Sequence, residues 1–582
     1  MKNIYKIKKL FITSLLFLIP LLIWMLFRIP DSEQIKSPDK EFEEQLYTWF
    51  IEDVSNHPLD LHYTLANPEN YGITPTNFQL NAATNTSEIY KQRLTYLNTI
   101  NDEELSKPNQ LNKDILCFIY ETELEGEPYY LLNEILSPTL GIQAQLPILL
   151  AEYTFRKEYD IQNYLRMLTS VYSYFEDILA FEKEKAQYGT FMSDTSVDRI
   201  IEQCEAFICN PETNYLHSIF QDSMENIKEL SETQKKSYIT LHNKLIQTQI
   251  IPAYQMLIDG LCQLKGSGQN QNGLYYFADG TTYYEYLLKR NCGLEESVPL
   301  IQERLLQQLK NDLQMSETII NHNPSVLEEF TQNQDRTHSP QKILSFLQDK
   351  VTTDFPLLEN VSYEVKYVHK DLEEYLSPAF YLTPPMDTLS PNTIFINPSE
   401  NLQGVDLFTT LAHEGFPGHL YQTVYFSSTN PSPIRHLLNF GGYIEGWATY
   451  VESYAFDYYE SNSELTTLNK INQSVNLCLL SLLDTKIHYE GWTLSETSAY
   501  LESFGITQPS IQEEIFQMIV ETPSNYVKYY VGSLHFADLR DTIKNNLGSQ
   551  FSLPAFHKKV LEVGPCQFSL LEQEVLAYFN EN

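Results

Sequence analysis

The sequence predicts a mainly α-helical protein with a small β-sheet set next to a bulged helix. Three observations carry that expectation. Apolar residues recur at three- and four-residue spacing through most of the chain. Only residues 361–397 change to alternating or β-branched patterns. The segment LAHEGFPGHLYQ, residues 411–422, places Pro417 and Gly418 between two histidines.

The elements follow in order. Lys2, Lys6, Lys8 and Lys9 precede an apolar run, Leu10 to Phe27, closed by Arg28. Only Thr13, Ser14 and Pro20 interrupt it. The run is long for a signal-peptide core and just long enough to span a bilayer. No small-x-small cleavage site follows, and no lipobox cysteine is present. The preceding lysines imply a cytoplasmic amino terminus. Residues 1–30 are therefore expected to be a signal anchor, a single transmembrane helix at the cell membrane. The rest would lie outside the cytoplasm. Secretion after signal cleavage is the alternative.

Ser37 then caps a helix with Pro38 at its first position, and Phe42, Leu46, Trp49 and Phe50 share one face. A long amphipathic helix is expected after Asp160, where Ile161, Leu165, Leu168, Tyr172, Phe175 and Leu179 repeat. Residues 231–263 and 295–315 show the same habit. Breaks fall at 266–273 (GSGQNQNG) and at 321–339. The first divides an N-terminal helical region, 31–265, from a region 266–582, unless the two form one continuous domain. Within 361–397, VSYEVKYV alternates and TIFIN, residues 393–397, is β-branched. Both read as strands of a small sheet just before the HEGFPGH segment.

The chain has 582 residues, 42% of them hydrophobic, ample for a large core. Its net charge of -37 argues against nucleic acid, which needs basic patches. The seven cysteines include no CxxC pair, so a cysteine zinc knuckle is not supported. Cys204 and Cys209 could form a local disulfide outside the cell; buried free thiols are the other reading.

The chemistry concentrates at His413, Glu414 and His419. Catalytic zinc takes three protein ligands and keeps one position open. Residues four apart on a helix differ by about 40° around its axis and can share an ion, whereas residues six apart differ by about 120° and cannot. Pro417 removes the hydrogen bond that would close the turn on His413, and Gly418 tolerates unusual angles. Together they can loop out two residues and bring His419 to the ordinary fourth position. The expected third ligand is Glu445, in GGYIEGWATYVESY, with Thr449 and Glu452 on the same helix face as supporting residues. Trp447, Ala448, Tyr450 and Val451 make this helix largely apolar, so acids on it need a partner.

HEGFPGH followed by EGWATYVE resembles the bacterial domain-of-unknown-function-885 family, whose members carry HExxPGH and then EGWA-x-Y. The family is grouped with zincin-type metallopeptidases of the HExxH-plus-Glu kind. The resemblance extends to SPAFYLTPP, TIFIN, TPSNYVKYYVGSLHFADLRD and AFHKKVLEVGPCQFSLLEQEV. It implies a large helical zincin-like peptidase body and Zn2+ as cofactor. It implies His413, His419 and Glu445 as metal ligands and Glu414 as general base. It also implies that Tyr529 stabilises an oxyanion, with Tyr526 and Tyr530 as rivals one turn away. Arg540 matches a usual arginine and is expected to hold a substrate carboxylate. His557 matches a Phe-His pair near the end and is expected among the supporting residues. Some related families carry an acid where this chain has Thr449.

The expected function is a membrane-anchored extracytoplasmic zinc metallopeptidase acting on oligopeptides, with Glu414 moving the proton of the attacking water. TIFIN would pair with the extended peptide, bringing Phe395 and Asn397 to the substrate. One alternative is a zinc amidase acting on cell-wall peptides. Another is a non-catalytic anchored binding protein with structural zinc.

Overall fold

The computed structural model describes residues 36–581 except 82–85, 332–338, 360, 371–372, 374–375, 401 and 460–461. The expected anchor, Leu10 to Phe27, lies outside the described residues. Among the described residues no helix is long and apolar enough to cross a membrane. The chain is mainly α-helical with one small three-stranded sheet.

Helix α1 (Pro38–Asn56) begins as its sequence indicates. The Ser37 hydroxyl accepts from the Lys40 N–H, and Phe42, Leu46, Trp49, Phe50 and Val54 are buried. The single helix expected after Asp160 is instead two, α2 (Glu158–Leu168) and α3 (Val171–Tyr188). Asp160 does not precede the first; its carboxylate accepts from the N–H groups of Arg156 and Lys157 at the helix start. The hydroxyls of Thr169 and Ser170 turn back onto the carbonyls of Arg166 and Met167, competing with the helical ladder. The apolar spacing runs across the break because both helices pack on one core. Residues 231–263 form α4 (Glu232–Leu245) and α5 (Ile251–Leu264), joined by a π turn. Helix α6 (Val298–His322) runs past the expected end at 315. Cys204 and Cys209 are both free thiols, the first buried and the second exposed.

The sheet contains β1 (Glu364–Tyr367), β2 (Ala379–Leu382) and β3 (Thr393–Ile396) in the order β1-β3-β2. β1 runs parallel to β3, with Glu364 opposite Thr393, and β2 runs antiparallel, with Phe380 opposite Phe395. TIFIN is therefore the central strand and offers no free edge to a peptide, which corrects the expected pairing. All four β3 residues are buried. An apolar run without polar alternation is what a strand covered on both faces requires. Ile394 and Ile396 enter one core, whereas Phe395 points into the other.

Those two cores organise the molecule. One gathers Phe175, Tyr254 and Ile200 with their neighbours from the N-terminal half. The other holds Trp447, Tyr443, Leu411 and Phe536, and draws Ile115, Phe118 and Leu132 across the 265/266 division. The sheet lies between them and hands the chain to α7 (Gly404–Glu414), α8 (His419–Ser428) and α9 (Gly441–Tyr459). After α10 (Ser463–His488) and two shorter helices, Leu494–Glu502 and Pro509–Glu521, comes α11 (Asn525–Leu547), packed against α9.

Candidate metal centre

A regular helix bonds each N–H to the carbonyl four residues back. Between α7 and α8 the Gly418 N–H reaches the Ala412 carbonyl at 3.0 Å, and the Tyr421 N–H reaches Gly415 at 3.1 Å. Both bonds span six residues, so two residues are looped out. Pro417, which has no N–H to satisfy, sits in the loop after a cis peptide bond. Gly418 is demanded by space, since a Cβ there would stand 1.7 Å from the His413 carbonyl oxygen. Trp447 Nε1 donates to the Pro417 carbonyl at 2.9 Å and ties the loop to α9. The two imidazoles come to lie with ring centroids 4.6 Å apart.

Glu445 is delivered by a close helix pair. α9 and α11 run parallel: Gly446 meets Gly532, Tyr450 meets Phe536, and Tyr454 meets Arg540. A Cβ on Gly446 would lie 2.6 Å from the Gly532 carbonyl carbon, and one on Gly532 would lie 2.3 Å from the Gly442 carbonyl oxygen. The glycines let the two backbones touch, which sets Glu445 of α9 beside Lys528 and Tyr529 of α11.

Glu445 Oε2 is 3.5 Å from His413 Nε2 and 3.3 Å from His419 Nε2. One donor atom from each residue lies within 4.8 Å of the others. Three donors about 2.0–2.2 Å from one tetrahedral ion stand roughly 3.3–3.6 Å apart, so the set fits zinc. Glu452 Oε1 is 2.6 Å from His413 Nδ1, which orients that ring and leaves Nε2 turned to Glu445. Burial opposes a charge on His413, but Glu452 and Glu445 outweigh it and raise its pKa well above the usual value. Burial would raise Glu445, yet hydrogen bonds from His413 and His419 hold it well below the usual carboxylate range. An anionic carboxylate facing two imidazoles is a donor set in which a divalent ion can replace protons.

Glu414 is half-buried, and its Oε2 accepts from the Tyr381 N–H at 2.8 Å. Burial raises its pKa, against the opposing pull of His419 and His413. Tyr381 belongs to β2, an edge strand, so the edge beside the centre is β2 rather than TIFIN. The Tyr529 ring centroid is 6.5 Å from that of His413. Burial, with Glu445 and Glu414 nearby, raises the Tyr529 phenol and keeps it a proton donor. Tyr526 instead reaches Met518 Sδ at 4.0 Å, and Tyr530 bonds to Ser474. Of the three tyrosines, Tyr529 is the one beside His413.

Four expected residues stand apart. Phe395 is 4% exposed and stacks on Phe380, and Asn397 is 2% exposed with its amide donating to the Glu373 and Leu376 carbonyls. Both serve the central strand. Arg540 donates to Asp541 at 2.8 Å and to the Tyr454 hydroxyl at 3.3 Å. Tyr454 is nine residues after Glu445, about 180° round the helix, so Arg540 faces away from the ligands. His557 is a core residue: it stacks on Phe355, pairs with the Tyr450 hydroxyl at 2.9 Å and bonds the Asp354 carbonyl at 2.7 Å. Burial pushes its pKa down to about 3. Thr449 is buried one turn after Glu445 but makes no hydrogen bond to the three ligands among the described residues. The sequence reading missed the Tyr381 N–H, the Trp447 indole as the loop's tie, and Lys528, whose ammonium is 3.9 Å from Glu445 Oε1. For Lys528 a signal existed: a lone base among the aromatics of NYVKYY.

The architecture recurs in solved structures. A candidate lipoprotein from Colwellia psychrerythraea is similar with a TM-score of 0.83 at 18% identity, over 94% of this chain and 100% of that one. A candidate lipoprotein of unknown function from Shewanella oneidensis is similar with a TM-score of 0.62 at 15% identity, over 92% and 99% respectively. No curated protein matches the chain. Residues 74–575 match the family described as bacterial protein of unknown function, DUF885, and the chain belongs to that family.

Proposed function

We propose that the protein is a zinc metallopeptidase that hydrolyses peptide bonds in oligopeptides outside the cytoplasm. The observation that carries the reading is the convergence of His413, His419 and Glu445, with Glu414 next to the first ligand. Held by these donors, a zinc ion supplies a Lewis acid for a carbonyl and makes nearby water more acidic. Glu414 takes the proton of the attacking water and returns it to the leaving amine. The Tyr381 N–H fixes one oxygen of Glu414, which leaves the other for proton transfer. Tyr529 donates its hydroxyl proton in a hydrogen bond to the developing oxyanion. The outward edge of β2 aligns an extended peptide beside Glu414. Three donors rather than four among the described residues favour a catalytic ion over a structural one.

The location rests on Leu10 to Phe27 as an anchor. The naming of both similar structures as candidate lipoproteins agrees with attachment to a membrane.

The test compares wild type with Glu414→Gln, using metal analysis by mass spectrometry and digestion of a peptide library. Both proteins should hold zinc, and cleavage should fall about 10²–10⁴-fold in the variant. A wild-type protein without bound metal, or a variant with full activity, overturns the proposal.

A further inference from the structure

A cavity of about 790 Å³ is lined in part by Lys528, and its volume lies within the range of about 300–1,000 Å³ typical of small-molecule sites. Lys528 and Gly441 form its wall next to Glu445, and Tyr63, Tyr90, Phe118 and Tyr120 form aromatic parts of the lining. Most charges in that lining have close partners. Arg290 donates to Glu123 at 2.9 Å and Asp53 is held by Arg93 at 2.7 Å, whereas Asp60 has His57 only at 3.7 Å, beyond hydrogen-bond reach. His436 is kept neutral by burial and by Arg435, with its pKa down to about 4.

Lys528 differs. Its ammonium makes no hydrogen bond among the described residues, and its charged neighbour is Glu445 Oε1 at 3.9 Å, beyond hydrogen-bond reach. The other oxygen of the same carboxylate faces the two imidazoles. Lys528 also lines the cavity, so its ammonium, 5.0 Å from the Tyr529 ring centroid, is a cation between the cavity and Glu445. An anion is the natural occupant.

We propose that Lys528 binds the free C-terminal carboxylate of a short peptide seated in this cavity, which makes the enzyme a carboxypeptidase. The inference rests on the peptidase reading above and replaces Arg540, which faces elsewhere. Hydrolysis beside the ligand set releases the C-terminal fragment. Water supplies the hydroxyl of the new carboxylate and the proton of the freed amine. The aromatic lining favours an apolar side chain on that fragment.

The experiment uses the full-length, zinc-loaded chain with acetylated tetra-alanine and its C-terminal amide. Turnover is measured on wild type, and binding by calorimetry on Glu414→Gln. Wild type should prefer the free acid by about 10- to 100-fold, the range of a charge-assisted hydrogen bond. Lys528→Met should bring that ratio close to one, and Lys528→Arg should restore part of it. In the Glu414→Gln background the free acid should bind more tightly than the amide, and Lys528→Met should abolish the difference. Equal cleavage of acid and amide by wild type overturns the carboxypeptidase inference and leaves the peptidase reading standing. So does an equal loss of kcat on both peptides in Lys528→Met. Preferential binding of the acid without any turnover keeps the carboxylate site and sinks the peptidase reading. Absence of both binding and turnover overturns both.

Discussion

Removing Glu452 gives a direct measure of how the metal centre is held. Its carboxylate is not itself an expected ligand but grips His413 Nδ1 at 2.6 Å. The pair is sheltered, with side chains 15% and 13% exposed, so solvent screens it weakly. A bond of this kind orients the ring and increases the basicity of the opposite nitrogen, and losing it typically costs 10–100-fold in metal affinity. At 1.4 kcal/mol per tenfold, that is about 1.4–2.8 kcal/mol. The shelter and the short distance put Glu452→Ala toward the upper end. Glu452→Gln keeps an acceptor without its charge, and a neutral hydrogen bond is roughly half as strong, so its loss should be about half in free energy. Zinc dissociation constants come from competition with a chromophoric chelator at fixed pH, with circular dichroism as a control for folding. Affinities within threefold of wild type for both folded variants would refute the claim that Glu452 orients a metal ligand.

Three further outcomes follow from the geometry. Gly446→Ala would push a methyl to 2.6 Å from the Gly532 backbone, so α9 and α11 must separate; thermal unfolding should show a loss of about 1–3 kcal/mol, with weaker zinc binding alongside. Arg540→Ala should cost at most about 1–2 kcal/mol of stability through Asp541 and Tyr454 while leaving zinc affinity unchanged, and a large loss of zinc would contradict its placement away from the ligands. His242 is neutral in the fold because burial lowers its pKa to about 3, whereas an unfolded histidine titrates near 6.5. The unfolded chain therefore takes up the proton first, so this stability is full above about pH 6.5 and is lost as pH falls toward 3. Between pH 7 and pH 5 the contribution shrinks by about 2 kcal/mol, 1.5 pH units at 1.36 kcal/mol each; urea unfolding of His242→Gln should show that much less pH dependence, and an unchanged difference would count against the argument.

The metal motif follows from local covalent facts. Pro417 cannot donate, a side chain at Gly418 would strike the preceding turn, and the spacing of His413 and His419 then implies two looped-out residues. Such facts are written in the order of residues, and so is the period of α1. Failures occurred where identity underdetermines neighbours. The spacing from Ile161 to Leu179 is continuous, but Thr169 and Ser170 end one helix and start the next. Arg540 and His557 matched a familiar pattern, yet one turns to Asp541 and the other into an aromatic core.

Composition and order by themselves determined a helical body, a short sheet region, and a kinked segment able to present two imidazoles to one ion. Only the tertiary structure decided that TIFIN is central and β2 the edge, because hydrogen-bond partners of a strand are chosen by distant chain. It also decided which acids and bases stand beside Glu445. Lys528 and Glu445 are far apart in sequence and meet because three glycines let α9 and α11 approach until their backbones touch.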